Sequence, residues 1–115
     1  MIKKSSDLNV QVNEKMRGGD GSITIRHIAD KPEMYGKSRM YARMTIKPGC
    51  SIGYHIHEGE TEIFHILAGT ASYNDNGEQA ELIPGDTSIT PASHGHAIAN
   101  RGSEDVELIA LIVLQ

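Results

Sequence analysis

Apolar and polar residues alternate with a period of two along much of the chain, as in Leu8–Val12 and Ile23–Ile28. Successive side chains of a β-strand point to opposite faces, so this alternation predicts strands with one buried and one solvated face. Glycine, proline and asparagine separate these segments at short intervals, and no segment shows the period of a convincing amphipathic helix. The pattern therefore predicts an all-β sandwich or barrel.

Two turns are specified by their residue types. The pair Asn76-Gly77 suits the two positive φ values of a type I′ turn, which predicts a hairpin between Thr70–Asn74 and Gln79–Ile83. The proline and glycine of Pro84-Gly85 would end the second strand of that hairpin. The segment Ala29–Lys37 is predicted to be irregular or a short turn.

The segment Val106–Leu114 is apolar at both odd and even positions. A strand at the edge of a sheet in water would keep one polar face, so we predict an inner strand with both faces covered. A further hypothesis is that a partner subunit covers the outer side of this strand, which would make the protein a homodimer.

Length and charge exclude several classes of protein. A chain of 115 residues suits one domain over residues 1–115, and a net charge of −4 without a basic face excludes a nucleic-acid partner. The apolar runs are shorter than the roughly 20 residues of a membrane span, and Met1–Ser6 does not begin a signal peptide, so we expect no membrane partner and a cytoplasmic location. Cys50 has no partner for an internal disulfide and is interpreted as an inert turn residue.

Histidines are concentrated in one part of the chain. His55 and His57 lie two positions apart, so on a strand both imidazoles point to the same face, roughly 7 Å apart. Glu62 follows a short turn and would bring a carboxylate across from them on the neighbouring strand. His94 and His96 share parity, so both are candidates for a fourth ligand and their spacing does not choose between them.

This set of side chains points to a metal ion. Three neutral imidazoles and one carboxylate suit one divalent transition metal, namely Mn, Fe, Co, Ni or Zn. An octahedral ion would keep two positions for water or substrate. His65 lies three positions after Glu62 and faces the opposite side of the strand, so we interpret it as a structural or surface histidine.

Two blocks of residues resemble the conserved motifs of the cupin superfamily. The first is Gly49, five residues, His55-Ile56-His57, four residues, Glu62, six residues and Gly69. The second is Gly85, five residues, Pro91-Ala92-Ser93, two residues, His96, three residues and Asn100. In this second block Ser93 replaces the usual glycine of the family, which puts only the local turn geometry in question.

The resemblance implies a double-stranded β-helix, the cupin or jelly-roll barrel. It implies N-terminal strands and a loop in residues 1–37, and a cupin core with both motifs in residues 38–115. It further implies that one metal ion is bound by His55, His57, Glu62 and His96, and it makes His94 a neighbour of that ion.

The residues that share parity with the ligands should line a pocket, which we expect to be mostly apolar. Parity places Phe64, Ile66 and Ile98 inside, and the resemblance adds Met40, Ala42 and Met44, with Arg39, Tyr41 and Arg43 outside. His94 is a further pocket candidate. Glu58 and Glu60 are interpreted as a solvated rim, with the alternative that one of them is a base at the mouth.

Three functions fit a metal ion in such a pocket, each with a small-molecule ligand or substrate. The first is a dioxygenase that uses Fe or Mn. The second is a sugar or uronate isomerase or lyase in which the ion is a Lewis acid, and the third is a non-catalytic module that binds a small molecule. No side chain is assigned a catalytic role, so whether the protein is an enzyme stays open.

Overall fold

The computed structural model describes residues 1–115, most of which form antiparallel β-strands. The ten strands are β1 (Val10–Glu14), β2 (Ser22–Ala29), β3 (Ser38–Ile46), β4 (Ser51–Ile56), β5 (Glu60–Ala68), β6 (Ala71–Asp75), β7 (Glu78–Leu82), β8 (Thr87–Thr90), β9 (Gly95–Ala99) and β10 (Val106–Leu114). Three short 3-10 helices occupy Ser5–Asp7, Met16–Gly18 and Lys31–Met34. None of these helices has the length and apolarity needed to cross a membrane.

The strands form two sheets that face each other. The six-stranded sheet has the order β1-β2-β3-β10-β5-β8, and the four-stranded sheet has the order β4-β9-β6-β7. Neighbouring strands in both sheets are antiparallel. This arrangement confirms the predicted double-stranded β-helix.

The core lies between the inner faces of the two sheets. Ile25, Met44, Leu108 and Phe64 come from the six-stranded sheet and Ile98 from the other, and all five side chains are buried. The alternation seen in the sequence therefore sends one set of apolar residues from each strand into a single core.

The predicted hairpin is present, with each strand shifted by one residue. Ala71–Asp75 pairs with Glu78–Leu82, and Asn76 and Gly77 between them have φ values of 51° and 102°. Two positive φ values are what a type I′ turn requires, so Asn76-Gly77 sets the hairpin. The segment after β2 also agrees with expectation, since it contains only the short helix Lys31–Met34.

Strand β10 lies between β3 and β5, so the prediction of an inner strand is confirmed. Its inner side chains, among them Leu108 and Ala110, are buried. The prediction that both faces are covered is wrong for the single chain, because Leu111 is only half-buried and Val113 is 40% exposed on the outer face. The four-stranded sheet packs against the inner face of β10 and leaves its outer face without cover within the chain.

Candidate metal centre

Four side chains from both sheets meet at one end of the core. His55 on β4 lies opposite His96 on β9 in the four-stranded sheet, and His57 comes directly after β4. Glu62 reaches them from β5 in the other sheet. One potential ligand atom from each of the four lies within 4.8 Å of all the others.

Three of the four donor atoms have the spacing that an octahedral ion requires. Glu62 Oε1 lies 3.0 Å from His57 Nε2 and 3.0 Å from His96 Nε2, and the two Nε2 atoms are 3.1 Å apart. Ligands at right angles, with bonds of about 2.1 Å, are about 3.0 Å apart, whereas tetrahedral ligands are about 3.4 Å apart. These three donor atoms therefore have the spacing of one face of an octahedron.

The other ring nitrogen of each histidine is held by a hydrogen bond. His55 Nδ1 donates to the Gly53 carbonyl at 2.8 Å, and His57 Nδ1 donates to Glu60 Oε2 at 2.6 Å. His96 Nδ1 contacts the Tyr73 hydroxyl at 2.7 Å and the Thr90 hydroxyl at 3.0 Å. With Nδ1 engaged in this way, Nε2 of each ring is the atom left for a metal, as in known metal-binding histidines. The residues present therefore fit a divalent ion.

The protein groups also set the charge of the centre. Burial favours the protonated form of Glu62, but hydrogen bonds with His57 and His96 outweigh it and hold the pKa of Glu62 below its usual value. Burial lowers the pKa of His55, which favours the neutral imidazole that a metal needs. The hydrogen bond with Glu62 raises the pKa of His57, so an ion would compete with a proton there.

Glu60 and Arg39 are placed differently from the sequence-based interpretation. Glu60 is not part of a solvated rim, because only 8% of it is exposed and it accepts hydrogen bonds from both His57 and Arg39. The hydrogen bonds from Arg39 lower the pKa of Glu60 to about 2 although burial opposes the change. Arg39 is half-buried and does not simply point into solvent. Glu58, the other predicted rim residue, is exposed.

The remaining histidines lie outside the cluster. The His94 side chain is exposed and does not line the site, although its backbone carbonyl accepts a hydrogen bond from the His57 N–H at 3.0 Å. His65 is exposed on the six-stranded sheet and contacts the Thr87 hydroxyl at 2.8 Å.

Most of the predicted pocket residues are packed in the hydrophobic core, and one of them lines a cavity. The Phe64 ring stacks on His96 with centroids 4.9 Å apart, and Ile98 and Met44 are buried in the core around it. Met40 is half-buried and lines a cavity of about 620 Å³. This cavity is not the apolar pocket that the sequence led us to expect. Its charged and titratable lining residues are Glu14, Lys15, Arg17, His27, Lys31 and Arg39.

Residues 42–112 match the family model described as a cupin domain. The chain belongs to the cupin family. This cupin is 40% identical over 114 residues to an oxalate-binding protein of Thermotoga maritima, an alignment that covers 99% of the chain and 94% of the relative.

Solved structures agree with the assignment. A crystal structure described as a predicted oxalate decarboxylase from Thermotoga maritima superposes with a TM-score of 0.94, at 39% identity and full coverage of both chains. The cupin domain of a transcriptional regulator of the XRE family from Enterobacter cloacae has a TM-score of 0.70 at 19% identity, over 81% of this chain and 97% of that one. The second likeness shows the fold alone.

Proposed function

We propose that this cupin binds a small dicarboxylate of the oxalate type through one divalent transition metal ion held by His55, His57, Glu62 and His96. The convergence of these four donors, with every Nδ1 engaged elsewhere, is the observation that carries the proposal. When bound, the ion would supply a Lewis-acidic centre for carboxylate oxygens. Mn, Fe, Co, Ni and Zn all accept imidazole and carboxylate ligands.

Charge favours an anionic ligand. One ligand carboxylate against a divalent ion leaves the centre positive, and Arg39, which is hydrogen-bonded to Glu60, also lines the 620 Å³ cavity with its basic side chains. Three of these, Lys15, Arg17 and Lys31, form no salt bridge within the chain. This concentration of positive charge stands out in a chain whose net charge is −4. The name of the Thermotoga maritima relative supports the same class of ligand.

Binding without turnover is favoured over an isomerase or lyase. Such reactions need an acid or base beside the ion. Glu60 is held between Arg39 and His57, and the Tyr73 hydroxyl is engaged by His96 and Thr90, so both polar groups orient ligands of the ion. Dioxygenase activity needs no such group, and measurement of oxygen consumption tests it.

Titration calorimetry tests the proposal with protein loaded with Mn²⁺ or Co²⁺ and with the same protein after chelation. We expect oxalate to bind only the loaded protein, and acetate to bind more weakly because it has a single carboxylate. His57→Ala should lose both the ion and oxalate binding, whereas His65→Ala should keep both because His65 lies outside the cluster.

Two results would change the proposal. Oxalate binding to the chelated protein, or none to the loaded protein, would contradict it. Oxygen consumption by Fe-loaded or Mn-loaded protein, measured with oxalate, diketones and thiols, would replace simple binding with dioxygenase chemistry.

A further inference from the structure

The three histidines of the metal centre have chemically different partners at Nδ1. His55 donates to a backbone carbonyl, and His96 contacts the neutral hydroxyls of Tyr73 and Thr90. Only His57 donates to a carboxylate, that of Glu60, and this contact of 2.6 Å is the shortest of the set. A carboxylate at this position fixes the tautomer of an imidazole and makes its other nitrogen a stronger ligand.

Glu60 is itself held by a second contact. Arg39 Nε donates to Oε1 and Arg39 Nη2 donates to Oε2, each at 2.7 Å. Two parallel hydrogen bonds fix the plane of a carboxylate as well as its charge. Since Oε2 also accepts from His57, Arg39 determines the direction from which Glu60 meets the imidazole.

His57 has particular need of such support. His55 and His96 lie opposite each other within the paired strands β4 and β9, whereas β4 ends at Ile56. The backbone of His57 is held by hydrogen bonds to Ser93 and His94, which belong to a turn. Its ring therefore depends on Glu60 for orientation more than the other two rings depend on their partners.

We propose that Glu60 and Arg39 are positioning residues of the metal centre, which together hold His57 with Nε2 toward the ion and strengthen it as a ligand. The inference rests on the metal site of the proposed function. Neither residue would touch a bound ion, because Arg39 and His57 hold both oxygens of Glu60 and Arg39 points to Glu60.

Each positioning residue has a matched control in the same chain. Glu58 lies two residues before Glu60, in the bend that precedes β5, and is exposed, so Glu58→Gln is the control for Glu60→Gln. Arg43 lies on the same strand as Arg39 and pairs with Glu107 at 3.1 Å away from the cluster, so Arg43→Met is the control for Arg39→Met. Each control removes the same kind of charge without touching His57.

The test measures Co²⁺ and Zn²⁺ affinity by competition with a chelator, together with the visible absorption spectrum of the Co²⁺ protein. Glu60→Gln should weaken binding about 10- to 100-fold, the usual effect of losing such a partner, and should shift the Co²⁺ bands. Arg39→Met should weaken binding in the same direction, and Arg39→Lys should recover part of the loss. Both control variants should bind like the unchanged protein.

Affinities and spectra of Glu60→Gln and Arg39→Lys equal to those of the controls would overturn the inference, while the metal site itself would stand. Failure of the unchanged protein to bind any ion would instead remove the proposed function and this inference with it. Circular dichroism of each chelated variant identifies unfolding, and the conservative Arg39→Lys variant gives the answer if Arg39→Met does not fold.

Discussion

At the scale of single residues, the carboxylate of Glu60, which holds a histidine of the metal centre, should make the stability of the fold depend on pH in the acid range. Arg39 lowers the pKa of this group from 4.5 to about 2, and a lowered carboxyl pKa stabilises the folded state above the unfolded value. That stabilisation should be complete above pH 4.5 and be lost as the pH falls to about 2. In chelated protein, Glu60→Gln should therefore flatten the fall of the unfolding free energy over this range, as urea titrations at several pH values would measure.

Glu58, the exposed carboxylate two residues before Glu60, supplies the control for this prediction. Glu58→Gln removes an exposed carboxylate that forms no salt bridge within the chain, so it measures the effect of losing one negative charge alone. Identical acid limbs for Glu60→Gln and the unchanged protein would show that Glu60 titrates alike in the folded and unfolded chain.

The role of Glu60 was within reach of the sequence but was missed. Parity placed His55 and His57 on one face, the turn after them brought Glu62 across, and the structure places all three side chains close together. Glu60 has the same parity as Glu62. The error came from treating residues 58–61 as a turn, whereas β5 begins at Glu60. The pairing with Arg39 was out of reach, because it depends on how two strands separated along the chain lie together in the sheet.

At the scale of elements, the turn before β9 holds a strained residue. Ser93 has φ of +73°, a conformation that suits glycine, and the family usually has glycine at this position. Relief of this strain should outweigh the extra freedom that glycine gives the unfolded chain. Ser93→Gly should raise the unfolding free energy by about 0.5–1 kcal/mol, measured by urea titration.

Metal affinity should not change in Ser93→Gly, because the contact of this residue with His57 is a backbone N–H donated to a backbone carbonyl at 2.7 Å. Ser103→Gly is the matched control, since Ser103 is exposed and its φ is not positive. Glycine there should only loosen the unfolded chain and lower stability. A loss of stability in Ser93→Gly would mean that Ser93 is unstrained.

Short-range residue patterns predicted individual turns and strands well, but they did not predict the cavity that several of these elements form together. The Asn76-Gly77 turn and the inner position of β10 followed from short-range residue patterns. The basic cavity did not follow from them, because its lining comes from β1, the turn after it, β2, the helix Lys31–Met34 and β3 together. The pairing of β1 with β2 and of β2 with β3 places His27 and Arg39 beside the turn that carries Arg17.

At the scale of the whole molecule, the outer face of the six-stranded sheet carries a continuous apolar row. Leu111 lies opposite both Tyr41 and Ile63, and Ile63 lies opposite Ile89, so the row crosses four adjacent strands. Tyr41 is 37% and Ile89 60% exposed. A contiguous apolar surface of this kind is typical of an interaction site, whereas isolated exposed apolar residues are common.

The homodimer predicted from β10 would cover this row, because a twofold axis brings the same patch of two copies together. We expect sedimentation equilibrium to give the mass of two chains, and Leu111→Glu to give one, since a buried glutamate without a partner would be costly at the interface. Val12→Glu is the control, because Val12 is exposed on the edge strand β1, away from the row. A monomeric unchanged protein, or a Leu111→Glu variant that still dimerises, would contradict the prediction. Because the row lies on the opposite face of the sheet from Glu62, Leu111→Glu should also leave metal affinity unchanged, which separates loss of assembly from loss of the site.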